Sequence, residues 1–145
     1  MAGRSERTLV FVKPTAVERG LVGEILGRFE KAGMRFESLR MLRLERPQAE
    51  AHYAEHRGKS FFEELIAYVT SGPIVACVAA GDGAIAKARE LCGATNPAKA
   101  AAGTIRAEFG VDVCRNAIHA SDSPESARRE IERFFPVGPA APVLP

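Results

Sequence analysis

Residues 8–12 spell TLVFV, an unbroken run of β-branched and large apolar side chains that ends at Lys13 and Pro14. A run without polar alternation is typical of a strand that is buried on both faces. Residues 74–80, IVACVAA, form a second run of this kind after the turn signal SGP at 71–73. We therefore predict that the two runs are central strands of a sheet.

The other elements are predicted from capping residues, apolar stripes and breaks in periodicity. Predicted helices cover residues 15–33, 48–56, 61–70, 82–93 and 123–135. Two further strands are predicted at 34–44 and 117–119, the first with a bulge between Phe36 and Leu39 because its alternation slips there. Residues 93–114 lose all periodicity and are predicted to be a long loop.

This order of elements, β-α-β-α-α-β-α-β-α, predicts an α/β (α+β) sandwich in which helices cover one face of a small sheet. A βαββαβ arrangement is the simplest topology for it. The chain has 145 residues, enough for one sizeable core, so we expect a single domain over residues 1–145. Residues 136–145 contain four prolines and are expected to form a Pro-rich C-terminal tail.

The composition excludes several classes of protein. Twenty Lys and Arg against eighteen Asp and Glu leave a net charge of +2, too little for a general polyanion binder, and no specific nucleic-acid partner is predicted. Cys77, Cys92 and Cys114 lie in separate segments without zinc or redox spacing, so we expect reduced thiols. The N-terminus has no apolar leader and no segment is long enough to span a membrane, which makes the cytoplasm the expected location.

Candidate chemistry concentrates in residues 115–123, RNAIHASDS, where His119 ends a short apolar run. A neutral imidazole suits a nucleophile or proton carrier near pH 7, although a buried structural histidine fits the same pattern. A serine-hydrolase triad of His119, Ser121 and Asp122 is excluded, because near-adjacent residues cannot adopt triad geometry and the G-x-S-x-G motif is missing.

Two well-known phosphate-binding motifs are absent. There is no G-x-x-x-x-G-K-[ST], and the GDG at 81–83 does not extend to G-x-G-x-x-G. Phosphate chemistry would therefore need scattered cations, and Lys13, Arg89 and Arg106 stand at element ends or in the long loop, where side chains converge on sites. The alternative interpretation is that these three side chains are solvated at the surface and bind no ligand.

Residues 52–56, HYAEH, match the zinc-peptidase pattern H-x-x-E-H. That pattern sets two histidines, here His52 and His56, one helical turn apart with a glutamate base between them. Short matches of this kind arise easily by chance, so a surface helix is the competing interpretation.

Along residues 6–135 the sequence closely resembles nucleoside diphosphate kinases. The resemblance rests on separated segments in order: VKP at 12–14, ERGLVGEI at 18–25, HY at 52–53, FF at 61–62, SGP at 71–73, GATNPA at 93–98, GTIR at 103–106 and RNAIHASDS at 115–123. It implies a ferredoxin-like fold with a four-stranded antiparallel sheet. It also implies ping-pong transfer of the terminal phosphate of a nucleoside triphosphate to a nucleoside diphosphate through a phosphohistidine.

The same matching assigns the site. His119 would be the nucleophile, Glu130 would hold the imidazole nitrogen that does not attack, and Ser121 would bond that glutamate. Lys13 and Tyr53 complete the catalytic set. The phosphate and sugar contacts would be Lys13, Tyr53, Arg89, Thr95, Arg106 and Asn116, and the base would stack on Phe61 with Leu65 and Val113 beside it. Mg²⁺ would be held by the nucleotide phosphates, with no direct protein ligand.

Two positions depart from the family pattern. Ala120 replaces the glycine of the usual HGSDS, and Thr15 replaces the aspartate of the usual KPD. A glycine required for positive φ would make Ala120 cost about 1 kcal/mol and displace His119. The alternative function is therefore a catalytically weakened, nucleotide-binding family member. The family also implies a homo-oligomer, either a hexamer or a tetramer.

Overall fold

Both apolar runs lie in the middle of one antiparallel sheet in the computed structural model, which describes residues 5–136. The strand order is β2-β3-β1-β4, and the strands are β1 (Ser5–Val12), β2 (Arg35–Leu42), β3 (Ile74–Asp82) and β4 (Ile118–Ala120). All the pairings between them are antiparallel. The predicted bulge is present, as a register shift between Phe36 and Ser38. The ferredoxin-like fold class is confirmed.

The helices follow the predicted order with shifted ends. They are α1 (Pro14–Glu18), α2 (Val22–Lys31), α3 (Arg46–His52), α4 (Phe62–Val69), α5 (Ala84–Cys92), α6 (Ile105–Phe109) and α7 (Pro124–Phe134). Two 3₁₀ turns, Ala54–His56 and Pro97–Lys99, complete the described elements. Within residues 5–136 no helix is both long and apolar enough to cross a bilayer.

Helices cover both faces of the sheet, so the prediction that they cover one face was wrong. Val10 and Val12 of β1 pack in a cluster with α2 and α5. Their neighbours Leu9 and Phe11 pack on the opposite side with α3, α4 and α7. Successive side chains of a strand point to opposite faces, so a strand without polar alternation must be buried on both.

Three local predictions also need correction. The helix predicted at 15–33 is two helices, α1 and α2, because the chain turns at Gly20 with φ of 73°. Asp82 ends β3 and does not cap α5; Glu6 accepts the Ile85 backbone N–H of α5 instead, at 2.9 Å. The predicted loop contains α6, which Thr104 caps by accepting the Ala107 N–H at 3.3 Å. Of the predicted tail, residues 137–145 lie outside the described residues.

Candidate active site

A cavity of about 260 Å³ opens beside the ends of β1 and β4. Eleven of the twelve site residues predicted from the sequence line it, and these are Lys13, Tyr53, Phe61, Leu65, Arg89, Thr95, Arg106, Val113, Asn116, His119 and Glu130. Ser121, the twelfth, is fully buried and hydrogen-bonds to Glu130. The fold therefore brings the predicted residues together from segments that are far apart in sequence.

The position of His119 follows from the pairing of β4 with β1. In that register His119 lies opposite Phe11, and the two rings stack with their centroids 4.9 Å apart. Just before β4, Ala117 has a positive φ of 80°, and its carbonyl accepts the Lys13 N–H at 2.9 Å. A positive φ is strained for a residue with a side chain, so the sheet and this hydrogen bond hold a turn that aims His119 into the cavity.

One side of the imidazole is held by a carboxylate. His119 Nε2 lies 2.8 Å from Glu130 Oε1, and the Ser121 hydroxyl donates to the same oxygen at 2.7 Å. Glu130 only accepts when ionised, so the bond favours the tautomer that is protonated on Nε2. The Nδ1 atom of His119 then carries a free lone pair.

The electrostatics keep this ring neutral. Burial, with help from the positive charges of Lys13 and Arg106, lowers the pKa of His119 well below its usual value. Burial raises the pKa of Glu130. Desolvation disfavours the imidazolium form of His119, so a neutral imidazole lies beside a Glu130 carboxylate that His119 and Ser121 stabilise by hydrogen bonds. A neutral imidazole is the form that can act as a nucleophile.

Three cations surround His119 and bind backbone carbonyls. Lys13 donates to the Cys114 carbonyl at 3.4 Å, and Arg106 donates to the Ile118 carbonyl at 2.7 Å. Arg89 approaches the carbonyl of Ala120 at 3.5 Å. No salt bridge within residues 5–136 neutralises any of the three. Basic side chains that line a cleft without ion-pair partners create a positive potential that attracts anions.

Burial also lowers the pKa of Lys13 and of Arg106. Lys13 is only 4% exposed, and burial together with the nearby charge of Arg106 lowers its pKa to about 7. Arg106 is 5% exposed and its Nε atom has no hydrogen-bond partner among the described residues. An anion that entered the cavity would therefore relieve repulsion within the protein.

Gly93 allows the arginine-bearing segment to approach α5. It ends that helix with φ of 85°, and a Cβ atom built on it would clash with the Thr104 hydroxyl oxygen. Thr104 is the cap of α6, the short helix that carries Arg106. Only glycine both adopts this φ and leaves room for Thr104, so Gly93 is needed to place Arg106.

Apolar side chains also line the cavity. They are Phe61, Leu65 and Val113, the last of which is 46% exposed. Asn116 is buried and donates to the carbonyls of Thr95 and Val113, both at 3.0 Å. The cavity therefore suits a ligand that has both anionic groups and a flat apolar group.

Tyr53 also lines the cavity. Its hydroxyl is buried and has no hydrogen-bond partner in the described chain. Burial raises the pKa of Tyr53 above its usual value, so the hydroxyl keeps its proton and is available as a donor.

Neither departure from the family pattern distorts the site. Ala120 lies in β4 opposite Val10, is 2% exposed and is not among the residues with positive φ. The cost expected from a glycine-only conformation therefore does not arise at Ala120; the strained φ is at Ala117. Thr15 lies in α1, where its N–H donates to the Tyr68 hydroxyl at 3.1 Å, and it does not line the cavity.

The zinc-peptidase pattern is not formed. The helix α3 ends at His52, while His56 lies in a separate 3₁₀ turn with its Nδ1 3.1 Å from the Lys59 ammonium. His52 instead lies against His119, with the ring centroids 4.5 Å apart. This contact was missed from the sequence, where the only signal was a histidine at a helix end beside an aromatic residue.

Comparison with known proteins agrees with this geometry. The family model described as "Nucleoside diphosphate kinase" matches residues 6–138. A nucleoside diphosphate kinase of Archaeoglobus fulgidus is 59% identical over 130 residues, which cover 90% of this chain and 86% of that protein. One of Carboxydothermus hydrogenoformans is 58% identical over 130 residues, covering 90% and 87%.

Solved structures give the same result. The Aquifex aeolicus nucleoside diphosphate kinase superposes with a TM-score of 0.87 at 47% identity, covering 91% of this chain and 96% of its own. That of Halobacterium salinarum, solved in complex with CDP, superposes with a TM-score of 0.88 at 43% identity, covering 91% and 88%. With the fold, the cavity and the sequence in agreement, the chain belongs to the nucleoside diphosphate kinase family.

Proposed function

We propose that this chain transfers the terminal phosphate of a nucleoside triphosphate to a nucleoside diphosphate in two steps through His119. The observation that carries the proposal is the bond of Nε2 to Glu130, at 2.8 Å, in a ring that shares its cavity with Lys13, Arg89 and Arg106. That bond leaves Nδ1 as the nitrogen with a free lone pair.

In the first step the Nδ1 lone pair attacks the terminal phosphorus. The bond from phosphorus to the bridging oxygen breaks, and the nucleoside diphosphate leaves with that electron pair. In the second step a terminal oxygen of a different diphosphate attacks the phosphorus, and the phosphorus–nitrogen bond returns its electrons to Nδ1. The Nε2 proton stays shared with Glu130 throughout, so one site serves both half-reactions.

The cations would do most of the electrostatic work. Phosphoryl transfer has a loose transition state that needs positioning and charge neutralisation more than covalent help. We assign that role to Lys13, Arg89 and Arg106, whose hydrogen bonds to carbonyls fix them before the substrate arrives. Preorganised charges of this kind cost no reorganisation during the reaction.

The remaining residues would position the nucleotide. Thr95, Asn116 and Tyr53 line the same cavity, and we assign to them the contacts with the sugar and the inner phosphates. The base would stack on Phe61, with Leu65 and Val113 beside it. Stacking depends on a flat π-face that every base has, so we expect broad tolerance of the base.

Magnesium would arrive with the nucleotide. The one metal-competent group among the described residues is His52, His119 and Glu130, whose two nitrogens do not suit Mg²⁺, which prefers six oxygen ligands. The phosphate oxygens are then its natural ligands. When bound there it would add to the neutralisation of the phosphate charge.

We also propose a homo-oligomer in a reducing compartment, the cytoplasm. Strand β2 is at the edge of the sheet, and its Leu39 and Met41 are 55% and 60% exposed, an apolar edge that a second copy would cover. The three cysteines are free, as expected where thiols stay reduced. A mass measurement in solution would distinguish a hexamer from a tetramer.

Trapping the phosphoenzyme tests the mechanism. The protein is incubated with ATP labelled on its terminal phosphate and with Mg²⁺, and is then separated from the nucleotide. We expect an acid-labile label on the wild type and on His56→Ala, and none on His119→Ala. A wild type that binds nucleotide without acquiring label or exchanging phosphate between GTP and ADP would favour the weakened family member.

A further inference from the structure

His52 is a buried side chain that the proposed reaction does not use. It ends α3, is 7% exposed, and its ring packs edge-on against Phe11, Phe134 and His119. Its Nδ1 atom is buried without a hydrogen-bond partner in the part of the chain that the structure describes. A buried polar atom without a partner costs free energy, which makes it an indicator of a bound ion or water.

A nitrogen of His52 is close to two other metal-binding groups. One ligand atom each of His52, His119 and Glu130 lies within 4.8 Å of the other two, and this is the one such group within residues 5–136. The three side chains come from α3, β4 and α7, which pack on the same side of the sheet around Phe11. The cluster is therefore held by the core of the protein, and no surface loop contributes to it.

The donor set matches the preference of zinc. Two imidazole nitrogens and one carboxylate oxygen, with the fourth position open, form a frequent tetrahedral zinc site. Zinc bonds of about 2.0–2.1 Å require ligand atoms about 3.4 Å apart, so small side-chain movements would close the cluster around an ion. Ser121, which donates to Glu130 at 2.7 Å, already orients the carboxylate from behind, as outer groups do in zinc sites.

We propose that His52, His119 and Glu130 bind a zinc-type divalent cation, and that this cation inhibits the enzyme by occupying His119. A bond forms between the metal and Nε2 of His119, and the proton that Nε2 shares with Glu130 moves through solvent to Nδ1, which leaves a neutral imidazole bound to the metal. With that proton Nδ1 has no free lone pair, so it cannot attack phosphorus. The metal also fixes the ring and brings positive charge into the cavity.

Nearby charges set the selectivity of this site. Lys13 and Arg106 lie in the same cavity and repel a further cation, so only metals that form strong bonds to nitrogen overcome the repulsion. Zn²⁺ is such a metal, whereas Mg²⁺ keeps oxygen ligands and water. Inhibition by zinc therefore persists in excess Mg²⁺ and disappears when a chelator removes zinc.

Equilibrium dialysis tests the site without relying on the proposed reaction. Untagged, nucleotide-free full-length protein is dialysed against Zn²⁺ in excess Mg²⁺. We expect one zinc per wild-type chain, at least tenfold weaker binding by His52→Gln, and unchanged binding by His56→Gln, which changes a histidine outside the cluster. No stoichiometric zinc on the wild type, or equal affinity in His52→Gln, would overturn the proposal, as would a loss of binding in His56→Gln alone.

A second measurement uses the wild type only, in case His52→Gln fails to fold. Co²⁺ replaces zinc in such sites, and its intense visible absorption reports four-coordinate geometry with nitrogen ligands. We expect this band to appear at one equivalent of Co²⁺ and to be lost when Zn²⁺ is added. The weak spectrum of six-coordinate Co²⁺ would contradict the site.

Discussion

His119 Nε2 and Glu130 Oε1 lie 2.8 Å apart and come from consecutive elements, β4 and α7. Ser123 caps α7 by accepting the Ser126 N–H at 3.1 Å, and so fixes where the helix starts relative to the strand. Glu130 then faces back toward β4 from the second turn of α7. The imidazole tautomer is thereby set by how a strand and the following helix are joined.

Glu130→Gln should slow the chemical step while nucleotide binding changes little. The amide still accepts a hydrogen bond from His119 but carries no charge, so the positive charge that develops on the ring is less stabilised. We expect kcat to fall by about 10- to 100-fold, the equivalent of a charge-assisted hydrogen bond of about 1.5–3 kcal/mol. Rapid-quench measurement of phosphoenzyme formation reports this rate directly.

The matched control is Glu125→Gln, in the first turn of the same helix, where the carboxylate pairs with exposed Arg129. This variant should keep the wild-type rate of phosphoenzyme formation. If the rate of phosphoenzyme formation fell equally in both variants, the effect would come from the loss of a negative charge on α7. It would then not be specific to Glu130.

Glycine substitutions at two alanines of the same segment should have opposite effects on stability. Ala117 has φ of 80°, so Ala117→Gly relieves strain and should raise the free energy of unfolding by about 1 kcal/mol. Ala120 lies in β4 without positive φ, so Ala120→Gly should lower it by roughly 0.5–1 kcal/mol. Urea denaturation measures both. A stabilising Ala120→Gly would mean that the strained residue is Ala120.

Nucleotide binding should take up a proton above neutral pH. Lys13, with its pKa lowered to about 7 by burial and by Arg106, is mostly neutral at pH 8 in the free protein. A bound polyphosphate favours the ammonium form and raises that pKa, so ADP binding at pH 8 should take up close to one proton, and affinity should fall as pH rises from 7 to 9.

Calorimetry in buffers of different ionisation enthalpy measures this uptake. Lys13→Met should abolish it, whereas Lys59→Met, which removes an exposed lysine that does not line the cavity, should leave it intact. Equal proton uptake by Lys13→Met would assign the proton to another group.

Stability should fall in acid because of His52. Burial, with the neighbouring His119, lowers the pKa of His52 well below 6.5 in the folded state. Below pH 6.5 the unfolded chain therefore binds more protons than the folded one, which destabilises the fold by up to about 1.4 kcal/mol for each pH unit and each such histidine. Above pH 6.5 both states are neutral and the effect vanishes.

The variant His52→Gln lacks this titrating imidazole, so it should lose this part of the pH dependence of stability. The difference in free energy of unfolding between pH 7.5 and pH 5.5, measured by urea denaturation, should be about 1 kcal/mol smaller in the variant than in the wild type. An unchanged difference would show that His52 is solvated or paired in the folded protein.

Much of the fold could be predicted from the sequence because strand burial and helix caps are encoded locally. The runs in β1 and β3, the bulge in β2 and the Ser123 cap of α7 all depend on neighbouring residues. Helix α6 was missed because its five residues are too short to show an apolar period. The prediction that Asp82 caps α5 was wrong because Glu6, which is distant in sequence, accepts the Ile85 N–H instead.

The candidate site, like the fold, could be predicted from the sequence only in part. His119, Glu130 and the basic residues could be named from the amino-acid sequence, because they match motifs of the family. Three features could be seen only after folding: Ser121 is bonded to Leu9, 112 residues away, Lys13 is buried deeply enough to lower its pKa, and His52 lies against His119. Such contacts depend on strand register and helix packing, which place side chains that no local pattern connects.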